Sequence, residues 1–462
     1  MRDPIRLNPI APLVEKARTY FRSDVTRPYE FRRERLRALE ASMRLHEPEV
    51  FAALKADLGK SVYEAYPAEV GLVYVDLKHA LKHLKDWMKP VGRSLPMTFW
   101  PGTGLQVPEP LGTALIISPW NYPFQLGTSP LVGAIAAGCN LVLKPSELAP
   151  ATSAVLEKVL RHAFGDDGYV TVVHGGPETS QQLLAEKWDV IFFTGSTRVG
   201  QIVMEAASKH LTPVILELGG KSPCLVDRDA DLETTARRIM WGKTYNAGQT
   251  CIGPDYALVH QAVKQRFVEA CQQAVKGFYG DDPKQSRDYA RIISTRHLQR
   301  LTTLMKGGRV AFGGTSDEAQ KYLEPTVLVD VDLASPLMNE EIFGPMLPVV
   351  EVRSMDEAID FVRARPKPLA LYAFTSSSET ADRILARTSS GGAMVNDVLL
   401  HIASGMPFGG VGPSGMGSYH GKASFDAFTH HKTVVKKPWA LDLKVRYPPY
   451  TVSIEVFRKL LG

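Results

Sequence analysis

Cysteine is scarce in this chain: Cys139, Cys224, Cys251 and Cys271 are the four in 462 residues. Their spacing matches neither a metal-binding cluster nor a disulfide framework, and such sparse usage suits a reducing compartment, the cytoplasm. Long apolar runs are also missing. Nothing approaches the roughly 18 consecutive apolar residues of a membrane helix, and the opening Met1-Arg-Asp-Pro-Ile-Arg-Leu-Asn8 lacks the apolar stretch of a signal peptide. An integral membrane anchor is therefore not expected. Charge of one sign is absent too: 54 basic residues stand against 49 acidic ones, a net charge of +5 with no long single-sign block. That balance names no polyanionic partner and argues against nucleic acid. What remains is 44% hydrophobic and 22% charged residues, an ordinary globular composition in a chain too long for one hydrophobic core. Two or more domains are expected.

Helical spacing of apolar residues comes first along the chain. Leu36, Leu39 and Met43, then Phe51, Leu54 and Leu58, predict surface helices within residues 11–58. A longer pattern from Ala65 to Met88 puts Val70, Val73, Leu77, Leu81, Leu84 and Met88 on one face, and Pro90 ends it. From Pro90 to Pro110 the composition turns to Pro, Gly and Thr, which predicts an extended excursion, either a linker or an oligomer arm. From Gly112 onward, strand-like runs at 113–117, 140–143, 169–173, 190–194 and 213–218 alternate with helical stretches. Parallel strands need crossovers of about a dozen residues, so this alternation predicts an α/β fold with a doubly wound parallel sheet. Such sheets bind ligands at their carboxyl edge.

The residues just after these strands carry the chemistry. Gly195-Ser-Thr-Arg-Val-Gly200 follows an apolar strand and opens a helical pattern. Its outer glycines match the dinucleotide fingerprint, while Thr197 stands where the middle glycine belongs. It is either a modified dinucleotide site, with Ser196 and free amides at a helix N-terminus, or a plain strand-to-helix turn. Lys144 and Glu147, after the second strand, either take ribose hydroxyls of an adenosine or form a solvated pair; a carboxylate there disfavours a 2′-phosphate and so favours NAD over NADP. Cys251 lies in Tyr245-Asn-Ala-Gly-Gln-Thr-Cys-Ile-Gly-Pro-Asp-Tyr256, among small and polar neighbours and just before the break at Gly253-Pro254. A cysteine so placed is either a reachable nucleophile or a half-buried structural thiol. Glu217 closes an apolar strand, a setting that desolvates a carboxylate and raises its pKa toward that of a general base; a salt-bridged strand end with Lys221 is the alternative. Asn121 is either an amide donor to an oxyanion or a turn asparagine.

Taken together, Ser118-Pro-Trp-Asn-Tyr-Pro-Phe124, Lys144-Pro-Ser-Glu147, Phe193-Thr-Gly-Ser-Thr-Arg-Val-Gly200, Leu216-Glu-Leu-Gly-Gly-Lys221, Gly248-Gln-Thr-Cys251 and Glu340-Glu-Ile-Phe-Gly-Pro345 resemble the aldehyde dehydrogenase superfamily, with six motifs in the family's order. Leu399-Leu-His-Ile402, Pro407-Phe-Gly-Gly-Val-Gly412, Gly415-Met-Gly-Ser-Tyr-His-Gly-Lys422 and Arg446-Tyr-Pro-Pro-Tyr450 resemble its class 3 branch, which includes the fatty and aromatic aldehyde dehydrogenases. The resemblance spans nearly the whole chain. It implies two doubly wound parallel-sheet domains with a small oligomerisation arm, a homodimer, and oxidation of aliphatic or aromatic aldehydes to acids with NAD, NADP being possible. By resemblance Cys251 is the nucleophile, Asn121 and the Cys251 amide hold the oxyanion, and Glu217 activates the water that cleaves the thioester. Glu341 and Phe343 resemble the family's ribose carboxylate and the aromatic that packs on nicotinamide. His401 is left without a role, Arg198 is expected to face solvent, and no metal is expected.

The motifs imply a cofactor domain over 1–217, interrupted by the arm near 92–112, a catalytic domain over 218–400, and a return of 401–462 to the cofactor domain and a subunit interface. Lys432 to Lys437 has the alternation of an edge strand, and Thr451 to Gly462 that of a short amphipathic segment. Two other enzyme readings use the same cysteine. A CoA-acylating relative passes the acyl group to CoA and generally lacks the glutamate base that Glu217 supplies; a thiol esterase needs no NAD. A non-catalytic protein that kept the fold is the third alternative.

Overall fold

The computed structural model describes residues 10–440, 442, 446–450 and 452–461. The opening Met1 to Asn8, together with Thr451 and Gly462, lies outside the described residues.

Two parallel-rich sheets organise the chain. The first has six strands in the order Gly415–Met416, Val214–Glu217, Val190–Thr194, Thr113–Ile117, Asn140–Lys144, Val170–Val172. All five strands expected from the sequence are present and mutually parallel; Gly415–Met416 adds antiparallel beside Val214–Glu217. The residues of Thr113–Ile117, Asn140–Lys144 and Val190–Thr194 are buried throughout, as strands covered on both faces must be. The direction of winding reverses between Thr113–Ile117 and Val190–Thr194. A reversal of this kind opens a crevice at the carboxyl ends, where Trp120-Asn121 and Gly195–Gly200 emerge.

The second sheet has seven strands in the order Arg309–Phe312, Thr326–Val329, Met346–Val352, Tyr256–His260, Pro223–Val226, Ala370–Phe374, Gly392–Val395, with only the first antiparallel to its neighbour. The Pro-rich excursion becomes a third, antiparallel sheet. Val91–Arg93 pairs with Thr103–Pro110, which pairs along its whole length with the edge strand Thr429–Lys436.

The helices depart from expectation in two respects. Helix Tyr29–Leu58 is no mere surface layer: Leu36, Leu39, Met43 and Leu54 sit fully in the main core, Leu58 is buried as well, and the helix packs against helix Pro150–Phe164. Helical periodicity reports an apolar face but not how much protein will cover it. The helix expected from Ala65 to Met88 is interrupted by a π-helical turn at Tyr66–Val70 before Gly71–Trp87 continues. Single π turns of this kind re-aim side chains and concentrate at functional sites. Within helix Gln125–Ala137 every residue is buried, since it threads the core between layers.

That buried helix ends at Gly138, whose φ of 89° belongs to the left-handed region. Beside it Arg32, itself buried, donates to the Ala136 and Thr26 carbonyls at 3.1 and 3.0 Å, so one of the helix's last carbonyls, that of Ala136, is met by a cation. A Cβ at Gly138 would stand 2.5 Å from the Arg32 guanidinium carbon. Gly138→Ala is expected to cost about 2 kcal/mol or more through backbone strain and displacement of that cap. A urea-unfolding midpoint equal to the parent's would contradict this.

Candidate active site

Cys251 follows a short tight turn, Tyr245–Gly248, that leads from helix Leu232–Thr244 toward strand Tyr256–His260. Three consecutive residues of the turn have left-handed φ: Asn246 at 52°, Ala247 at 50° and Gly248 at 75°. Only Gly248 adopts this without strain, and a Cβ there would collide with the Gly344 carbonyl oxygen at 2.2 Å. The other two are held by buried hydrogen bonds. Gln249 donates from Nε2 to the Asn246 and Arg291 carbonyls at 2.9 and 3.0 Å, and its Oε1 accepts from the Ile293 amide at 2.9 Å. The Asn246 amide donates to the Glu64 carboxylate.

Cys251 and Glu217 line one cavity of about 280 Å³. Its walls are mostly apolar and aromatic: Leu126, Trp241, Tyr245, Ile252, Phe408 and Tyr419 among them. Pro67 and Ala68, from the π-helical turn, and Leu72 just beyond it form part of the wall. Tyr63 and Leu400 also line it and are themselves exposed, so the cavity opens to solvent there.

Glu217 ends its strand as expected and is only 3% exposed. Neither carboxylate oxygen has a hydrogen-bond partner among the described residues. Lys221, the alternative partner, is committed elsewhere: its ammonium donates to Asp255 Oδ1 at 2.6 Å and to two backbone carbonyls. Desolvation alone therefore raises the Glu217 pKa well above the ordinary carboxylate range. The Cys251 thiol is partly exposed at the cavity wall, and its pKa is pushed up to about 12, first by desolvation and then by the carboxylates of Glu341 and Glu217. Without cofactor the cysteine is thus a protonated thiol at neutral pH. Cys139, Cys224 and Cys271 are buried in the core, as expected of packing thiols.

Asn121 is 3% exposed and lies behind the cavity, outside its wall. Its Nδ2 donates to the Gln249 carbonyl at 3.0 Å, two residues before Cys251, so the amide meets the cysteine loop through its backbone. Its own carbonyl oxygen accepts from Lys60 Nζ at 2.9 Å and from Asn246 Nδ2 at 2.7 Å.

A second cavity, about 260 Å³, lies on the other side of the segment from Leu218 to Gly220. Thr197, Gly219, Gly220, Lys221 and Glu341 line it. Gly219 is required by contact: a Cβ would stand 2.2 Å from a Glu341 carboxylate oxygen. Glu341 Oε1 is buried without a partner among the described residues, and desolvation followed by the nearby Asp255 raises its pKa to about 8. An open cleft with an unmet carboxylate oxygen fits a ribose hydroxyl donor. Phe343 lies outside both walls, at φ 53°, packed edge-on to Trp120 with ring centroids 5.4 Å apart.

Other expected cofactor residues cluster at the first sheet's carboxyl edge, outside the two cavities. Lys144, 4% exposed, donates to Glu147 Oε2 at 2.8 Å. Ser196 caps helix Thr197–Ser208, its hydroxyl accepting from the Val199 amide. The Gly195 amide donates to the Glu217 carbonyl at 3.0 Å, tying the turn to the strand that carries the carboxylate. Gly200 is pressed against Leu218, where a Cβ would sit 2.7 Å from a methyl group. Arg198 is exposed as expected. His401 packs beside Tyr372 and Phe408, and burial lowers its pKa to about 4.

A polar layer beneath the cysteine loop was not anticipated from sequence: Lys60, Glu64, Glu69, Asn246 and Gln249, all buried. One signal for it existed. Glu69 precedes Val73 by four residues and so shares the apolar face of that helix, where a carboxylate must find a partner.

A doubly wound sheet, a thiol and an unpaired carboxyl in one apolar cavity, and a cleft on the far side of the same strand end define a cofactor-dependent oxidoreductase architecture. The Aldehyde dehydrogenase family profile matches residues 8–434. "Aldehyde dehydrogenase, dimeric NADP-preferring" of Canis lupus familiaris is 47% identical over 96% of this chain and 98% of that protein. The 4,4'-diaponeurosporen-aldehyde dehydrogenase of Staphylococcus aureus is 45% identical over 94% of this chain and 95% of that protein. Among solved structures, the substrate-bound state of Staphylococcus aureus AldH superposes with a TM-score of 0.95 at 43% identity, covering 98% and 99% of the two chains. The chain belongs to the aldehyde dehydrogenase family, in its class 3 branch. It is an NAD(P)-dependent enzyme that oxidises aldehydes.

The elevated thiol pKa has a measurable consequence. Below the pKa the thiolate fraction grows about tenfold per pH unit. Alkylation of Cys251 by iodoacetamide without cofactor is expected to accelerate accordingly from pH 7 to 9, and a plateau in that window would contradict the assignment.

Proposed function

We propose that Cys251 is the nucleophile, that Asn121 and the Cys251 amide stabilise the oxyanion, and that Glu217 is the general base of deacylation. The observation that carries this reading is the shared cavity: a thiol and a carboxyl with no hydrogen-bond partner face one apolar space. Cys251 Sγ loses its proton to solvent and adds as thiolate to the aldehyde carbon, whose oxygen becomes a tetrahedral oxyanion held by amide donors. When bound, NAD(P) supplies the hydride acceptor that turns the thiohemiacetal into a thioester. Water then attacks the thioester carbon, Glu217 takes its proton, and the acid leaves as Cys251 is restored.

Glu341, with Phe343 nearby, is assigned to the nicotinamide ribose side. Gly195, Ser196 and Gly200 shape the turn toward the pyrophosphate, and Lys144 with Glu147 takes the adenosine ribose. The open cleft at Gly219 and the unmet Glu341 oxygen support this arrangement. The apolar cavity with its exposed mouth suits medium- or long-chain aliphatic and aromatic aldehydes. The domain division at 1–217, 218–400 and 401–462 is retained, because Gly415–Met416 and Thr429–Lys436 return to strands from the first part of the chain. A homodimer is assigned on likeness to a relative named as dimeric. No described helix is long and apolar enough to cross a membrane, and all four cysteines are free, which supports the cytoplasm.

Single-turnover kinetics separate the roles. Glu217→Gln is expected to keep an NADH burst near one per site while turnover falls about 10²-fold or more, whereas Cys251→Ala gives no burst. Equal bursts in the two variants would remove the assignment. Because burial raises the Glu217 pKa, the deacylation rate of the parent enzyme should climb with pH over a range higher than that of an ordinary carboxylate, and this dependence should vanish in Glu217→Gln. Filling the wall with Ala68→Trp is expected to lower kcat/KM for long-chain aldehydes about tenfold or more and to spare short ones. Equal losses for both chain lengths would place Ala68 outside the substrate's path.

A further inference from the structure

Lys60 is 1% exposed and Glu69 fully buried. Lys60 Nζ lies 2.5 Å from Glu69 Oε1 and donates to the Asn121 carbonyl at 2.9 Å. Glu69 Oε2 accepts the amides of both Phe124 and Gln125 at 3.0 Å. One buried ion pair therefore grips both ends of the Asn121–Gln125 loop. The ammonium also stands 4.1 Å from the centroid of the Tyr122 ring, and the Tyr122 hydroxyl meets Thr250 Oγ1 at 2.6 Å, next to Cys251. The Asn121 carbonyl is further shared with Asn246 Nδ2, which also donates to the Gln249 carbonyl at 3.1 Å.

Removing two charges from water is costly, and apolar side chains of similar volume often pack such a site as stably. A pair in this position is explained by what it holds. A carbonyl accepting two donors is pinned in direction, and with it the residue whose side-chain amide is Asn121 Nδ2. We propose that Lys60 and Glu69 are positioning residues for aldehyde oxidation: they set the Asn121 amide against Cys251 while touching neither substrate nor cofactor. This rests on Asn121 serving as the oxyanion donor. Neither Lys60 nor Glu69 lines the cavity of Cys251 or the cleft of Glu341, so binding of aldehyde and of cofactor does not depend on them directly.

The test uses the full-length enzyme and a double-mutant cycle. Lys60→Met is combined with Glu69→Gln, so that neither member of the pair is left as a lone charge and the side-chain carbonyl of the glutamine can still accept amide protons. The pair variant is expected to lose about 10- to 100-fold in kcat, within the range for an impaired oxyanion donor, while KM for aldehyde and the Kd of NAD stay within about twofold. Asn121→Ala alone is expected to be at least as slow. Combined with the pair variant it should be no slower than alone, because groups acting as one unit are not additive. Lys60→Arg keeps charge and donors and should restore most of kcat.

Multiplying effects in the combined variant, or a near-parental kcat in the pair variant, would overturn the inference while leaving Asn121 in its role. A parental kcat in Asn121→Ala would remove the oxyanion role and the inference with it. Should the pair variant fail to fold, Glu69→Gln, taken alone and with Asn121→Ala, carries the same cycle, with multiplying effects or a near-parental kcat in Glu69→Gln again overturning it.

Discussion

The constraint on which this structure depends is the backbone conformation just before Cys251. Two non-glycine residues in the left-handed region cost of order 1–3 kcal/mol each and persist only where the surroundings over-determine them. Here the surroundings are polar and dry: Gln249 bonds in three directions, Asn246 in two, and Glu64 receives the loop's own amide. Each of these groups would be expensive to bury alone. Bonded to one another, they make a floor under the thiol in which only Glu64 Oε2 and Asn246 Oδ1, of these three side chains, are left without a partner among the described residues.

The carboxyl edge of the first sheet is the second fixed element. Glu217 ends its strand, Leu218 faces the thiol's cavity, and Gly219 opens the neighbouring cleft, so three successive residues set a wall one backbone thick. The Gly195 amide is bonded to the Glu217 carbonyl, so the glycine turn and the strand end that carries the buried carboxyl are tied together. The same wall explains the electrostatics. Glu341 and Glu217 are close enough to Cys251 to disfavour its thiolate, and neither carboxylate oxygen of Glu217 has a partner among the described residues. A site that holds its thiol protonated is quiet toward stray electrophiles, because the thiolate is the reactive form.

Much of this was legible in the linear chain. The five parallel strands of the first sheet stand where alternation predicted them, because a buried strand is a short apolar run bounded by breakers and needs no tertiary knowledge to recognise. The order of motifs around Asn121, Glu217 and Cys251 was sufficient to name the family. Legibility failed where a segment's partner lay far away in sequence. The Pro-rich excursion is extended as expected, but that it forms two paired strands was not legible, because residues 429–436, which pair with it, lie more than three hundred positions later. Helix Tyr29–Leu58 is core rather than surface because Pro150–Phe164 covers it.

By itself the sequence determined which groups are available and on which local elements: a thiol in a small-residue loop, a carboxylate closing an apolar strand, a glycine turn opening a helix. These follow from spacing and side-chain chemistry, which are properties of neighbouring residues. Tertiary structure alone decided which of those groups are left without partners and which are committed. Glu217 is bare because Lys221 is engaged with Asp255, and Asn121 is committed because Lys60 and Asn246 hold its backbone carbonyl while its side-chain amide donates to Gln249. Charge state, direction and reach depend on the removal of water by residues distant in the chain, and no local pattern encodes that.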